Sequence, residues 1–491
     1  MFLGIDLGTS ELKVLLQDCD ARVIASASRS LQVTRPQPRW CEQDPGTWLR
    51  ATLEAMGDLQ RSHRAALSAV RAIGLTGQMH GATLLDRHDR VLRPAILWND
   101  MRADGECDDL MRLAPDLEAI AGSAAMPGFT APKLLWVANN EPALFSQLSR
   151  VLLPKDYVRL WLTGEKKSDM SDASGTLWLD VSARRWSDKL LMLTNLSSAQ
   201  MPALYEGSEC AGYLRQDLAS EWGIRHAVIV AGGGGDNAAS AVGVGAISDG
   251  EGLISLGTSG VIFVVSDRFR PNAATGLHAF CHALPDRWHQ MSVTLSAASC
   301  LRWVTRLCGA SSEAELLQEI ATAGPRVSQR APIFLPYLSG ERTPHNDPYA
   351  QGVFFGMTHE TDRAALGYSV VEGVAFALAD GLAALAVSGT VPTSLSLVGG
   401  GSRTDYWPQL IANALGVCVV THSTGAVGAV IGAARLAMMA AGISERDACQ
   451  RPKVVKEYRP QSESNLALGD RLSRFRALYP MIRSIYRSKA S

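Results

Sequence analysis

No Cys-x-x-Cys pair occurs in this chain, and its nine cysteines are an odd number. That usage gives no disulfide framework and predicts free thiols in a reducing compartment. Net charge is almost absent as well, 47 basic against 48 acidic side chains leaving −1. Such a balance offers no field to draw nucleic acid or a membrane surface, so neither is expected as a partner. The N-terminus lacks an unbroken apolar run, because Asp6 intervenes, and no secretory leader fits. Nor is there a charge-free span: the most apolar long segment, 368–387, contains Glu372 and Asp380 and reads as a buried helix. These absences predict a cytoplasmic globular protein. At 491 residues it exceeds the roughly 250–300 at which one core stops growing, so two large domains are expected.

What is present is a repeat. Ile5-Asp6-Leu7-Gly8-Thr9-Ser10 recurs as Ile254-Ser255-Leu256-Gly257-Thr258-Ser259, differing only at Asp6 against Ser255. Apolar, β-branched residues follow each copy, at 12–16 and 261–265. Each therefore reads as strand, tight turn and strand. A turn of this kind directs backbone N–H groups into one concavity, which binds anions. One copy opening each half suggests two related domains, 1–248 and 249–491, facing each other across a polyphosphate.

Other stretches fall into place around the repeat. Asp44 and Pro45 start a helix expected to reach about residue 59, followed by a second helical stretch. An apolar strand at 72–76 ends in Gly77-Gln78-Met79-His80-Gly81, and polar residues past a strand's carboxyl end are where α/β sheets hold ligands. Residues 168–175 are small and polar and read as a loop. A strand at 228–231 is closed by four glycines and then Asp236-Asn237, which open a small-residue helix. For Asp236 alone, capping that helix is the commoner role. A strand at 395–398 ends in Gly399-Gly400-Gly401, where missing Cβ atoms let backbone approach a ligand. His278, Cys281 and His282 have a spacing that a zinc ion could use. Residues 471–489 hold six basic and no acidic side chains and read as an amphipathic helix with a solvated basic face.

The combination of a hairpin with Asp6, a second without the acid, two glycine-rich strand ends and Asp236 after one of them resembles a known fold. It is the α/β, ribonuclease H-like fold of actin, hexokinase and the chaperone ATPases, with two such domains and an interdomain cleft. Within it the chain resembles the FGGY carbohydrate kinases over nearly its whole length. Phe129-Thr130-Ala131-Pro132-Lys133, Gly352-Val353-Phe354-Phe355-Gly356 and Leu397-Val398-Gly399-Gly400-Gly401-Ser402 carry the likeness. Gly77-Gln78-Met79-His80-Gly81, Leu153-Pro154-Lys155-Asp156-Tyr157, Gly234-Gly235-Asp236-Asn237 and Tyr337-Leu338-Ser339-Gly340-Glu341-Arg342-Thr343-Pro344-His345 resemble its xylulokinase branch. Glycerol kinases carry an Arg-Glu pair where Met79-His80 stands.

The resemblance implies ATP- and Mg²⁺-dependent phosphorylation of D-xylulose at its 5-hydroxyl, with another ketose or a polyol as the near alternative. A nucleotide-driven protein switch is the distant one. It makes Asp236 the catalytic base and Asp6 the residue serving Mg²⁺. Met79, His80, Asp236 and Asn237 would hold the sugar. Thr9, Ser10, Gly257, Thr258 and Ser259 would cradle phosphates, and Gly399, Gly400 and Gly401 would lie under the adenosine. The family does not need zinc, which speaks against metal at His278, Cys281 and His282. Sugar and ATP are the partners implied, and a homodimer is left open. Two departures stand out. Glu11 replaces the usual small residue of the first turn and is expected to point outward, and Thr424-Gly425-Ala426-Val427 lacks an acid common before the last small-residue helix.

Overall fold

The computed structural model describes residues 1–400, 405–423 and 428–487. Both copies of the repeat fold as antiparallel hairpins. Phe2–Leu7 pairs with Glu11–Gln17, and Gly252–Leu256 pairs with Gly260–Ser266. The first strand of each hairpin takes a parallel neighbour, Ala72–Gly77 in one half and Ser394–Val398 in the other. A second parallel strand lies beyond it, Ile229–Ala231 and Cys418–His422 respectively. An antiparallel strand then ends that side, Cys210–Tyr213 and Val454–Tyr458. On the opposite side Val23–Ser30 extends the first sheet, while Trp288–Thr294 and His278–Cys281 extend the second. The two sheets share one plan, and Asp6 and Ser255 occupy equivalent places in it. The inner parallel strands are covered on both faces, so they read as continuous apolar runs; every residue of Ala72–Gly77 is buried.

One face of the first sheet is covered by helix Pro45–Leu67, capped by Asp44, which buries Trp48, Met56 and Leu59. The two helical stretches expected there are both present and meet at a bend at His63 (φ −137°), a few residues past the expected end near 59. No glycine or proline stands near that bend to end the helix. The other face is covered from the far end of the chain, by helix Gly428–Ala440. Leu15 packs on Val430, Ile431 and Ala434. A Cβ on Gly4 would stand 2.1 Å from the Val430 carbonyl oxygen, and one on Gly74 1.8 Å from that of Ala433. Helix Asp236–Val244 lies against the same element, with Gly432 placed 1.7 Å by the same measure from the Ala239 carbonyl. Only glycine permits such backbone contact.

In the second half, helix Arg363–Val387 is long and apolar enough to cross a membrane by length and composition, but 83% of that window is buried inside the protein. Its two acids are paired: Arg471 grips Glu372 at 2.7 and 2.6 Å, and Arg476 meets Asp380 at 2.6 Å. Both arginines belong to helix Ser462–Arg487. The basic C-terminal stretch is therefore a helix, as expected, but not one with a simply solvated basic face. Arg471 also donates to the carbonyls of Ser328, Ala331 and Pro332.

Candidate active site

The hairpin turns are built so that carbonyls are used and amides are left. In the first, the Thr9 carbonyl accepts from Gln43 Nε2 (2.6 Å) and the Ser10 carbonyl from the Leu31 amide (2.8 Å). In the second, the Gly257 and Thr258 carbonyls accept from the amides of Ala298 and Ala297, at 2.8 and 2.9 Å. Among the described residues nothing accepts from the N–H groups of Thr9, Ser10, Thr258 or Ser259. Unpaired amides in a tight turn are an anion nest. The Thr9 side chain is not available to a ligand: its hydroxyl donates to Gln78 Oε1 (3.0 Å) and accepts from Trp98 Nε1 (2.9 Å). Glu11 is exposed, as expected.

In register, Leu7 lies opposite Gly77 and Ser255 opposite Val398, which sets Leu256 beside Gly399. Gly399 has φ +96°, and a Cβ there would stand 2.6 Å from the Leu256 carbonyl oxygen. Gly400 faces open space. Two of the three glycines expected under a nucleoside thus adjoin the second turn, and Gly401 lies outside the described residues, as do Thr424, Gly425, Ala426 and Val427. A cavity of about 850 Å³ opens near the start of helix Tyr406–Leu415, lined by Asp405, Tyr406, Leu317 and Tyr458. None of the candidate site residues lines it.

In the first sheet the corresponding strand end carries side chains. Asp236 is the first residue of its helix, and Gly235 occupies the cap position. Asp236 Oδ1 accepts from the Asn237 amide (2.7 Å) and from Asn237 Nδ2 (2.9 Å). Its Oδ2 has no hydrogen bond among the described residues. Burial pushes Asp236 up to about 6, against the two bonds from Asn237. Asp6, on the adjacent strand, is pushed up to about 7, first by burial and then by the charge of Asp236, with Lys13 opposing. No donor among the described residues bonds the Asp6 carboxyl. Two neighbouring carboxyls with raised values and spare oxygens suit a divalent cation, which favours a few oxygen ligands.

His80 sits at φ +68°, and its Nδ1 lies 2.7 Å from the Gly175 carbonyl. A carbonyl only accepts, so Nδ1 carries the proton and Nε2 is left as an acceptor. Burial lowers His80 to about 3, with the bond to Gly175 opposing, so the ring is neutral. Its carbonyl is held by Lys133 Nζ (2.9 Å) and Thr130 Oγ1 (3.2 Å), both from the Phe129-to-Lys133 motif. Met79 is buried beneath Gly235, where a Cβ would meet its sulfur at 2.7 Å.

The segment at 168–175 is not the loop its polarity suggested. It forms strand Lys167–Asp169 and helix Met170–Ser174, and its polar residues are buried. The reason is Lys155, whose Nζ lies 2.6, 2.7 and 3.0 Å from carboxylate oxygens of Asp156, Asp169 and Asp172. Burial alone would lower the Lys155 ammonium, but the three acids outweigh it and keep it charged. Asp169 accepts from Ser171 Oγ (2.5 Å), which in turn accepts from the Gly235 amide (3.1 Å). This chain fixes the residue before Asp236. Sequence reading left it out; the Leu-Pro-Lys-Asp-Tyr motif beside a run of small acids was the available signal. His278, Cys281 and His282 turn to separate partners, Ser123 Oγ, the Val181 carbonyl and the Leu284 amide. Among the described residues no group of three or more His, Cys, Asp or Glu side chains is placed to hold a metal ion.

Residues 1–243 match the N-terminal and 252–441 the C-terminal domain of the FGGY family of carbohydrate kinases. A xylulose kinase of Escherichia coli is 50% identical, over 98% of this chain and 99% of that one. Another, from Bacillus subtilis, is 32% identical over 99% of this chain and 96% of its own. A solved structure described as a xyloylose kinase from Brucella ovis superposes with a TM-score of 0.94 at 50% identity, covering 99% of both chains. The two sheets are ribonuclease H-like domains of the actin and hexokinase type. With both halves matched in order, the chain belongs to the FGGY family of carbohydrate kinases.

Proposed function

We propose that this kinase phosphorylates D-xylulose at its 5-hydroxyl, using ATP and Mg²⁺. The observation that carries the reading is the Met79-His80 and Asp236-Asn237 pairing: an aprotic Nε2, an amide and a carboxylate oxygen without a partner among the described residues, gathered past two neighbouring strand ends. That set can accept and donate to sugar hydroxyls and remove one proton. The 50% identity to a xylulose kinase supports the choice of sugar.

Phosphoryl transfer passes through a largely dissociative transition state, so positioning and charge neutralisation do most of the work. Asp236 Oδ2 takes the proton of the attacking hydroxyl, while Asn237 keeps Oδ1 in place. His80 accepts from a non-reacting hydroxyl, and Met79 gives an apolar wall. The amides of Thr9, Ser10, Thr258 and Ser259 hold phosphate oxygens, and Gly399, Gly400 and Gly401 admit the adenosine. Asp6 would hold Mg²⁺, directly or through water, and the bound ion would offset charge on the transferred group. The division into 1–248 and 249–491 assigns the base and sugar to the first domain and most of the nucleotide to the second. The family models, which leave 244–251 between them, support it.

The test is ADP formation with D-xylulose, other ketoses, aldoses and polyols, and with no sugar. D-xylulose should give the highest kcat/KM, with little ADP formed in its absence. ADP formation independent of sugar would overturn the reading in favour of a nucleotide switch.

A further inference from the structure

The loop between strand Ile333–Leu335 and residue 348 brings one cation to the sugar side of the site. Its neighbours clamp it. Glu341 accepts from Thr294 Oγ1 (2.5 Å), from the Leu295 amide (3.0 Å) and from the Arg342 amide (2.7 Å). Thr343 donates through Oγ1 to the Gly276 carbonyl (2.9 Å) and accepts from the Val293 amide (3.0 Å). The backbone of Arg342 is thus fixed on both sides, and the acid next to it is already occupied.

The Arg342 side chain reaches Phe129, with the guanidinium carbon 5.9 Å from the ring centroid. The same ring has His80 at 4.5 Å and His278 at 5.5 Å. Among the described residues no carboxylate or carbonyl accepts from the guanidinium. A guanidinium has five donors in a rigid fork, and leaving them unmatched in a partly desolvated place is costly. The surroundings lower Arg342 to about 10, through burial, so the mismatch is felt. His80, on the same Phe129 ring, keeps Nε2 as an acceptor with no donor among the described residues. A fork of donors and a lone acceptor around one apolar ring form the complement of a polyol, whose hydroxyls do both.

We propose that Arg342 is a substrate-binding residue that donates hydrogen bonds to non-reacting oxygens of the acceptor sugar. The inference rests on the sugar-kinase reading above and adds a contact from the second half of the chain. The sugar is then held from both halves, by His80 and Asn237 on one side and Arg342 on the other.

Steady-state kinetics of Arg342→Gln and Arg342→Lys test this, with D-xylulose and ATP varied separately and melting curves taken with and without sugar. Loss of charge-assisted hydrogen bonds predicts a rise in sugar KM of about 10–100-fold for Arg342→Gln. The ATP KM should stay within about twofold, and the sugar-induced rise in melting temperature should vanish. Arg342→Lys should fall between, and guanidinium ion should partly restore Arg342→Ala. A purely structural cation over Phe129 would lower melting with the sugar KM unchanged in the folded Lys variant, and that result overturns the proposal. If the wild type phosphorylates no sugar, the functional reading falls and this one with it. If the wild type is active and Arg342→Gln matches its sugar KM, this inference alone falls.

Discussion

Asp6 and Asp236 flank one strand end: Asp6 lies opposite Thr76, and Asp236 follows Gly235, which lies opposite Gly77. Two acids so placed cannot both ionise cheaply, and the charge of Asp236 adds to the burial that lifts Asp6. A cation would relieve that repulsion, which would join the proposed base and the proposed metal position into one electrostatic unit.

Asp236→Asn keeps the size of the side chain and removes the proton acceptor. Turnover should fall by about 10²–10⁴-fold with an unchanged circular dichroism spectrum. In the wild type, kcat/KM should decline on the acid side with an apparent pKa near 6, where Asp236 takes up a proton. A flat profile from pH 5 to 8 would remove Asp236 as base.

Asp6→Asn should cut activity, and raised Mg²⁺ should recover part of it if metal positioning is what was lost. Stability should move the other way. The folded-state value of Asp6, about 7, lies above its ordinary 3.8, so folding takes up a proton between them. The free enzyme therefore loses stability as pH rises through that window. Asp6→Asn should melt higher than the wild type by a few degrees at pH 8 and show no advantage at pH 4. Equal melting at both would contradict the raised value.

Gly399→Ala places a methyl against the Leu256 carbonyl and an L-residue at φ +96°. A loss of about 1–3 kcal/mol is expected in denaturant titrations. The KM for ATP should rise more than that for sugar, because Gly399 adjoins the Gly257 turn and not His80.

Lys155→Met would leave Asp156, Asp169 and Asp172 buried with Arg159 as the remaining cation. Breaking such a buried network costs about 3–5 kcal/mol. Because the stranded carboxyls are relieved by protonation, the loss measured in urea should shrink from pH 8 to pH 5. Activity should drop beyond what unfolding explains, since Ser171 then loses its hold on Gly235.

Much of the candidate site could be proposed from residues alone because its motifs are local. The hairpin turns, Gly399 and the Asp236-Asn237 pair each lie within a few residues of the strand that positions them, and glycine spacing reports such turns directly. The segment 168–175 misled because polarity signals exposure only when no buried counter-charge exists, and Lys155 lies outside it, on helix Pro154–Thr163. Arg342 was visible as part of a motif, but its proximity to His80 depends on two strands and a loop from opposite halves. The partner of Gly4 and Gly74 was hidden for the same reason: helix Gly428–Ala440 reads as small and apolar apart from Arg435, and nothing in it says which sheet it covers.

That helix has a consequence for how the chain matures. Gly4, Leu15 and Gly74 meet their cover only when residues 428–440 arrive. During synthesis the first sheet, whose last strand ends at Gly235, thus leaves the ribosome with one apolar face bare, and it stays so until the chain reaches Gly428, at roughly 5–20 residues per second. Throughout that interval this face lacks the cover that residues 428–440 give it, and a fragment ending before Gly428 would keep it bare.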